Sequence, residues 1–442
     1  MRAPRARLVA GLMATALAVA ACAPPSSDGD TAGDTEGDTE ATPVAEDEPE
    51  ISGEVTFVHD KAFWEDFFGE VLALGEDQLG VTLSQVAYAD TTSYQQVVQS
   101  SLPSSESPDV MTWWSGYRLE DLVTAGHLTE LSDFWDEQVA AGNLSGDLAA
   151  AFTSGDGIYA APLHISYWPV FYNKRVFDEH GLEVPETWEE LEQVADSLVA
   201  AGVTPFYATT DGRWPAFIWF EEFIARTDPD FYDRLTDGEE SYTDPLVVDA
   251  LQEWGEWLEA GYFSSLDLPL DDQMAAQFAG GEIAMVLNGT WFNGTFQDAG
   301  LEPGTDYDTF ILPNRNPDLA ENVVIFETGP LAIPVNAPNP DAARSFVEWW
   351  VQPETQQAWS EQLRDTPATP GAAAPDAALQ SVVDAVDQGG YRLIERYWEA
   401  SPPAIVEAAV DELSRFMLNP DQYQDVLENI EQIARQEWDA RG

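Results

Sequence analysis

The sequence has very little cysteine, histidine or positive charge. Cysteine occurs once, as Cys22, which excludes a disulfide within the chain and a cysteine-rich metal site. The four histidines lack the spacing of a zinc motif, and we expect no metal ion and no cofactor. The 442 residues include 18 basic and 80 acidic ones, a formal net charge of -62. Because so negative a surface repels phosphate backbones, we also expect no nucleic-acid partner.

Motifs of known catalytic chemistry are missing as well. The sequence contains no GxSxG, GxGxxG, Walker A or HExxH motif. Two of the many carboxylates could serve glycoside hydrolysis, but no local spacing marks such a pair. We therefore expect a protein that is not an enzyme, and a surface-anchored carbohydrate hydrolase stays open as the alternative.

The first 50 residues are predicted to precede the folded body. Residues 1–21 carry arginines, then an apolar run too short to cross a membrane, then small residues, which is typical of a secretory signal. Cys22 follows directly, and this arrangement resembles the bacterial lipobox, whose diacylated cysteine anchors the mature protein to the outside of a membrane. An ordinary signal followed by a chance cysteine is the alternative. Residues 22–50 hold ten acidic residues and no basic one, which predicts a disordered acidic tether.

The acidity also belongs to the predicted folded body. Residues 51–442 contain 70 acidic and 15 basic residues, a net charge of -55. A dense carboxylate surface stays hydrated at high salt, while the salt screens its self-repulsion. We favour adaptation to high salt because the acids are spread evenly, and an acidic surface for cations or partners is the alternative.

From residue 51 onward the hydrophobic period alternates between 2 and 3.6. This alternation predicts an α/β fold with largely parallel sheets. A body of this length exceeds the roughly 250 to 300 residues that one core can serve, so we expect at least two lobes. Strands are predicted at 54–58, 80–87, 109–113, 170–172, 283–287 and 323–333, and helices at 63–74, 93–101, 188–201, 245–260, 274–279, 340–351, 353–362 and through much of 376–440.

Aromatic residues stand beside small polar ones where the predicted strands end, which is where ligands bind in open α/β sheets. Flat rings cover the C–H faces of sugars, while amides and carboxylates bond their hydroxyls. A helix cap at Asp60 and a core role for one of Trp113 and Trp114 stay open as structural alternatives. The candidate ligand contacts are His59, Asp60, Lys61, Trp113, Trp114, Ser115, Trp214, Asn288 and Trp291.

Several stretches, in their order and spacing, resemble one family. They are residues 108–113, 119–128, 161–163 running to 171–174, 187–191, and 278–285 followed by 288–291. Together they resemble the extracellular solute-binding proteins of carbohydrate-importing ABC transporters, the family that includes maltose-binding protein. The resemblance covers nearly the whole mature chain.

The resemblance implies a two-lobe periplasmic-binding-protein-like fold of type II, with a hinge between the lobes. It implies one lobe of 51–161 with about 323–370 and another of 162–322 with about 371–442. Trp113 would face Trp214 and Trp291 across the ligand. Further contacts would come from the segments that cross between the lobes, with a surface role open for Glu327 and a surface ion pair open for Arg364. These further candidates are His164, Ser166, Tyr167, Glu327, Thr328 and Arg364.

The resemblance also implies a function. The protein would be a monomeric lipoprotein on the extracellular face of the cell membrane, capturing a mono- or oligosaccharide and delivering it to the permease of an ABC importer. Besides the hydrolase, the alternative is a binding protein for a non-sugar solute such as an amino acid, a polyamine or a compatible solute.

Overall fold

The structure, a computed structural model, describes residues 53–441, which belong to one compact unit spanning Glu50–Gly442. The predicted signal, Cys22 and the acidic tether lie outside the described residues. Among residues 53–441, no helix has both the length and the apolar character needed to cross a membrane.

The strands within residues 53–441 are mostly short. They are β1 (Glu54–His59), β2 (Thr82–Ala87), β3 (Val110–Thr112), β4 (Thr153–Ser154), β5 (Gly157–Ile158), β6 (Ala161–Tyr167), β7 (Val170–Asn173), β8 (Thr204–Phe206), β9 (Ile283–Leu287), β10 (Tyr307–Phe310), β11 (Val323–Ala332) and β12 (Arg392–Glu395).

Helices account for most of the remaining chain. They are α1 (Glu65–Leu79), α2 (Thr91–Ser101), α3 (Tyr117–Thr124), α4 (Ser132–Ala141), α5 (Lys174–His180), α6 (Trp188–Ala201), α7 (Ile218–Ala225), α8 (Pro229–Thr236), α9 (Pro245–Glu259), α10 (Asp272–Gly280), α11 (Asn293–Asp298), α12 (Pro340–Trp350), α13 (Pro353–Leu363), α14 (Ala377–Gly389), α15 (Tyr397–Ala400), α16 (Pro403–Leu418) and α17 (Tyr423–Arg441), with short 3-10 helices at Ala62–Trp64, Gly146–Phe152, Trp214–Phe217, Thr290–Phe292 and Pro420–Gln422.

The predicted strands and helices are confirmed to within a few residues. The helix predicted at 188–201 is α6, which begins with a capping box because Thr187 and Glu190 satisfy each other's backbone N–H groups. The predicted strand 80–87 begins late, at Thr82, because Gly80 takes a left-handed conformation and ends α1.

The described residues form two larger sheets, and both are mixed. In the first, β1 runs parallel to β2 and β3, and β11 runs parallel to β12 but antiparallel to β3 and β6. In the second, β8 runs parallel to β9, while β7 runs antiparallel to β9 and β10. The α/β fold is confirmed, but the expectation of largely parallel sheets is wrong. Hydrophobic periodicity shows which face of a strand is buried and carries no information about its direction.

Strand β11 packs against two hydrophobic cores at once. Val324 and Phe326 belong to the core of the first sheet, whereas Val323 and Ile325 belong to the core around the second. Side chains alternate between the two faces of a strand, so a strand lying between two cores must be apolar on both faces. This explains the continuous hydrophobic run that starts at Val323.

Strands β6 and β11 lie side by side as an antiparallel pair. Phe326 is opposite Tyr167, and Leu331 is opposite Ala161. The two segments predicted to cross between the lobes are therefore neighbours. The finer lobe boundaries given above stay a prediction.

Candidate ligand-binding site

A cleft with two adjoining compartments lies between the two cores. The compartment lined by His164, Trp291 and Glu327, here called the inner one, has a volume of about 250 Å³. The compartment lined by Arg118, Arg213 and Glu407, here called the outer one, has a volume of about 530 Å³. Together they fall within the size range of small-molecule sites. The residues that line both compartments are Lys61, Phe63, Trp114, Trp214 and Arg396.

Nine of the sequence-predicted residues come together in this cleft. They come from segments that are far apart in sequence. The ends of β1, β3 and β9 and the middle of the β6–β11 pair meet at the cleft and bring them together. The nine are Asp60, Lys61, Trp113, Trp114, His164, Trp214, Trp291, Glu327 and Thr328.

The other predicted residues do not line either compartment. His59 is buried and bonds Gln85 within its own core. The buried hydroxyl of Ser166 donates to the Asp365 carboxyl. Arg364 forms an ion pair with Asp298 at 2.8 Å, outside the cleft. The remaining three, Ser115, Tyr167 and Asn288, are also buried.

A chain of hydrogen bonds and ion pairs crosses the inner compartment. Trp291 donates from Nε1 to Glu327 Oε1 at 2.5 Å, and the second oxygen of Glu327 lies 2.5 Å from Arg396 Nη1. Arg396 also binds Glu399 through two contacts, of 2.6 and 2.9 Å. Because each carboxylate oxygen has two lone pairs, Glu327 and Glu399 can accept further bonds from a ligand while their positions stay fixed.

Burial and charge pairing act in opposite directions on the pKa values of Glu327 and Arg396. Burial raises the pKa of Glu327, and the nearby Arg396 opposes that rise. For Arg396 burial acts to lower the pKa, but the Glu327 and Glu399 carboxylates outweigh it and raise the pKa. We conclude that the guanidinium stays charged and holds both carboxylates in place.

His164 faces the inner compartment as a neutral imidazole. Burial, with smaller contributions from Lys61 and Arg396, lowers its pKa to about 3. Its Nδ1 atom is buried and has no hydrogen-bond partner among the described residues. A neutral imidazole can donate from one nitrogen and accept at the other, which suits a ligand hydroxyl.

Aromatic rings form much of the cleft wall. The ring centroids of Trp214 and Trp291 lie 6.3 Å apart at an angle of 56°, and Trp64 meets His164 edge to face at 5.6 Å. The turn at Gly289 has to be glycine, since a Cβ there would lie 2.2 Å from Trp291 Nε1. Trp113 takes the core role left open above, because it is buried and its Nε1 donates to the Arg118 carbonyl at 3.0 Å.

Several residues that line the cleft were not predicted from the sequence. Phe63 and Trp64 fall within the helix predicted at 63–74, which gave no reason to place them in a site. The segment from Arg396 to Glu399 was hidden because the region 376–440 was predicted as helical, whereas β12 ends just before Arg396. The signal that could have found it is the polar and aromatic run after this short strand, the same pattern that marked Trp291. The missed lining residues with polar or aromatic side chains are Phe63, Trp64, Thr91, Gln95, Arg118, Arg213, Phe217, Arg396, Trp398, Glu399 and Glu407.

Comparison with known families gives a match over most of the chain. The family model described as bacterial extracellular solute-binding protein matches residues 62–357. An uncharacterised ABC transporter extracellular-binding protein of Pyrococcus horikoshii is 28% identical over 62% of this chain, and the chain spans 63% of that relative's length. The alpha-glucosides-binding periplasmic protein of Rhizobium meliloti is 27% identical over 67% of this chain and 68% of its own.

Solved structures show the same fold. The bacterial solute receptor AcbH, described as having an exclusive substrate preference for β-D-galactopyranose, has a TM-score of 0.74 and 22% identity, covering 87% of this chain and 98% of its own. RafE of Streptococcus pneumoniae has a TM-score of 0.71 and 18% identity, covering 88% and 98%. The prediction of a two-lobe binding-protein fold of type II is thereby confirmed.

Proposed function

The chain belongs to the family of bacterial extracellular solute-binding proteins. We propose that it captures a carbohydrate in the cleft and delivers it to the permease of an ABC importer. The lobes close about the hinge when the ligand binds. Closure is favoured because the ligand contacts both walls only in the closed state, and the permease distinguishes that state from the open one.

The observation that carries this proposal is the pairing of indole faces with fixed hydrogen-bonding groups. Trp291 and Trp214 offer flat apolar surface beside Glu327, whose carboxylate is held by Arg396. A sugar ring presents an apolar C–H face and a rim of hydroxyls, and it needs both kinds of partner at once. Charged acceptors bond hydroxyls more strongly than neutral ones do, and burial strengthens the effect.

The names of several relatives support the same ligand class. One relative binds alpha-glucosides, and others, from Brucella and Mesorhizobium, carry the description of probable sugar-binding periplasmic proteins. The structural neighbour AcbH prefers β-D-galactopyranose. We propose a carbohydrate for this chain on the strength of these relatives together with its own cleft.

The charges of the cleft argue against a polyamine. Such a ligand needs carboxylates that are free to pair with its ammonium groups. Glu327 and Glu399 both bind Arg396, and Asp60 lies 3.3 Å from the Lys61 ammonium. A polyamine would have to break these pairs, which we expect to make its binding weak.

We also propose that no bond of the ligand is broken. A glycosidase needs one carboxyl that carries a proton to the leaving group. In this cleft Arg396 contacts Glu327 at 2.5 Å and Glu399 at 2.6 Å, so both side chains are held in ion pairs, and for Glu327 the guanidinium opposes the rise in pKa that burial causes. The cluster is therefore better suited to binding than to proton transfer.

The predicted N-terminal segment completes the proposal. We propose that Cys22 is lipidated and that the acidic tether holds a monomeric binding protein at the extracellular face of the membrane. Within the body, we propose the lobe boundaries given above, with β6 and β11 as two of the crossing strands.

Thermal unfolding of the purified protein tests the function. Mono-, di- and oligosaccharides are added at low and high salt, with amino acids and polyamines as controls. A ligand at 100 times its dissociation constant should stabilise the folded protein by about 2.7 kcal/mol, a shift of several degrees. Chromatography of each sugar after incubation should show it unchanged. If sugars are consumed, the protein is a hydrolase; if only amino acids or polyamines shift the transition, the carbohydrate assignment is wrong.

A further inference from the structure

The outer compartment is unusually basic for this chain. Acidic residues outnumber basic ones by 80 to 18 overall, yet the lining of this compartment has four basic residues and two acidic ones. A lining with excess positive charge on so negative a protein indicates that this compartment binds a negatively charged group of the ligand. The charged lining residues are Lys61, Arg118, Arg213 and Arg396 against Asp60 and Glu407.

Arg118 has most of its hydrogen-bonding capacity unused. A guanidinium has five N–H donors. Among the described residues, the Arg118 side chain makes one hydrogen bond, from Nη1 to the Trp398 carbonyl at 2.9 Å. Its nearest ion-pair partner, Glu407, lies 3.8 Å from Nη2, which is too long for a hydrogen bond. Four of its N–H donors therefore have no hydrogen-bond partner among the described residues.

The other two arginines of this wall are already engaged. Arg396 holds two carboxylates, as described above. Arg213 donates to Asp411 and twice to Glu407, so its position is fixed by α16. Arg118 differs from both because its side chain makes one hydrogen bond, whereas Arg213 and Arg396 make three contacts each.

The surroundings of Arg118 keep its guanidinium oriented. The side chain is 11% exposed, and its guanidinium carbon lies 5.0 Å from the ring centroid of Trp398. Burial lowers the pKa of Arg118, and the nearby Glu399 and Glu407 carboxylates oppose that shift. A buried, stacked guanidinium with open donors has the planar geometry that binds a carboxylate through two parallel bonds.

We propose that the captured carbohydrate is acidic, with a uronic acid unit whose carboxylate binds Arg118 in the outer compartment. The neutral part of the ligand lies in the inner compartment against Trp291 and Glu327. The proposal rests on the function proposed above and specifies its substrate as an oligosaccharide of at least two units, because the two compartments hold separate parts of it. Salt above the physiological level screens the repulsion between this ligand and the acidic surface, since the Debye length is then under about 8 Å.

Calorimetric titration of the purified protein tests this inference. The probes are digalacturonate, diglucuronate and dimannuronate, each compared with the neutral disaccharide of the same configuration and linkage and with a sulfated form of that disaccharide. We expect one uronate to bind at least about tenfold more tightly than its neutral parent, because a charge-assisted bidentate pair replaces a neutral hydroxyl. Arg118→Gln should abolish that preference, because it weakens binding of the uronate far more than binding of the neutral parent.

Two further variants make the result decisive. Arg118→Lys keeps the positive charge and loses the planar fork, so it should retain only part of the preference. Arg234→Gln is the matched control, since Arg234 is an exposed arginine paired with Glu240 and lines neither compartment. It should leave the preference unchanged.

Failure of this inference is distinguishable from failure of the proposed function. If the neutral parent binds as tightly as the uronate, or if both Arg118 variants keep the full preference, the assignment of an acidic ligand is wrong. The proposed carbohydrate-binding function then still stands. If the sulfated sugar is preferred, the carboxylate assignment is wrong. If no saccharide binds at all, the function proposed above is wrong.

Discussion

Trp291 and Glu327 are joined by a 2.5 Å hydrogen bond from the indole Nε1 to the carboxylate. Trp291 follows the end of β9 in the second sheet, whereas Glu327 lies on β11 opposite Ser166. One bond therefore ties an apolar ring to a charged acceptor, and each fixes the orientation of the other. A ligand that stacks on the ring meets the carboxylate at the ring's edge.

Replacing Trp291 should weaken ligand binding more than it weakens folding. Trp291→Ala removes a stacking face, which we expect to reduce sugar affinity by about 10- to 100-fold, or about 1.4 to 2.8 kcal/mol. Trp291→Phe keeps an aromatic face but loses the bond to Glu327. Its sugar affinity should lie between those of the unmodified protein and Trp291→Ala. The measurement is a calorimetric titration with the sugar that gives the largest melting shift. Equal affinities for Trp291→Ala and the unmodified protein would remove this residue from the site.

His164 should make the folded protein less stable in acid. Its pKa is lowered from 6.5 to about 3 in the folded state, so below pH 6.5 the unfolded chain binds a proton that the folded protein does not. Stability from this group is fully present above pH 6.5 and is lost as pH falls toward 3. We expect protonation of this group alone to lower the free energy of unfolding by about 3 kcal/mol between pH 7 and pH 4.

His164→Gln provides the comparison, because glutamine does not titrate. Urea unfolding of both proteins at pH 7 and pH 4 gives the free energy of unfolding at each pH. The variant should lose less stability over this interval than the unmodified protein. The same loss in both proteins would mean that His164 binds its proton freely in the folded state.

Asp365 should act in the opposite direction. It is fully buried, and burial raises its pKa from 3.8 to about 7, even though Ser166 and the Thr366 amide bond its oxygens. A carboxyl whose folded pKa is raised contributes stability that is fully present below pH 3.8 and is lost as pH rises through about 7. Asp365→Asn should therefore be more stable than the unmodified protein at pH 8, by about 2 kcal/mol, with a smaller difference at pH 4. Thermal unfolding at both pH values tests this, and an Asp365→Asn variant that is less stable at pH 8 would contradict it.

Gly116 should tolerate no larger residue. Its φ is 60°, and a Cβ there would lie 2.1 Å from the backbone oxygen of Glu399. Gly116→Ala should cost more than about 2 kcal/mol of stability, since it adds a backbone clash to the strain of a positive φ that glycine adopts without a Cβ penalty. It should also weaken sugar binding, because Glu399 must move.

Gly126→Ala is the matched control for this clash. Gly126 has a φ of 73°, and a Cβ there would meet nothing within 4 Å. The control should lose only about 1 kcal/mol, the cost of the backbone conformation alone. The midpoint of urea unfolding measures both losses, and equal losses would mean that the approach to Glu399 has no energetic consequence.

The sequence predicted most strands and helices because their hydrophobic periods are strong. The helix at 188–201 has a capping box, and the strand at 283–287 is a short apolar run followed by Asn288 and Gly289. Strand direction could not be predicted, because β11 and β6 have the same periodicity whichever way they run. Strand β12 was missed since it is four residues long and lies among helices.

The candidate site was predicted in part for a similar reason. Residues just after a strand, such as Lys61 and Trp291, were found because the end of a parallel strand marks the ligand side of a sheet. Ser166 and His164 lie two residues apart on β6, and both were expected in the cleft, yet only His164 lines it. Ser166 instead bonds Asp365, a contact 199 residues away in sequence that no local pattern could reveal. Arg118 and Arg396 reach the cleft through tertiary packing alone.

A crystal structure of the complex with the sugar that most stabilises the protein tests the central claim most directly. We predict that a sugar ring lies in the inner compartment with its C–H face against Trp291 and a hydroxyl bonded to Glu327. The lobes should contact the ligand from both sides. A sugar bound outside this cleft, or chemically cleaved within it, would contradict the account.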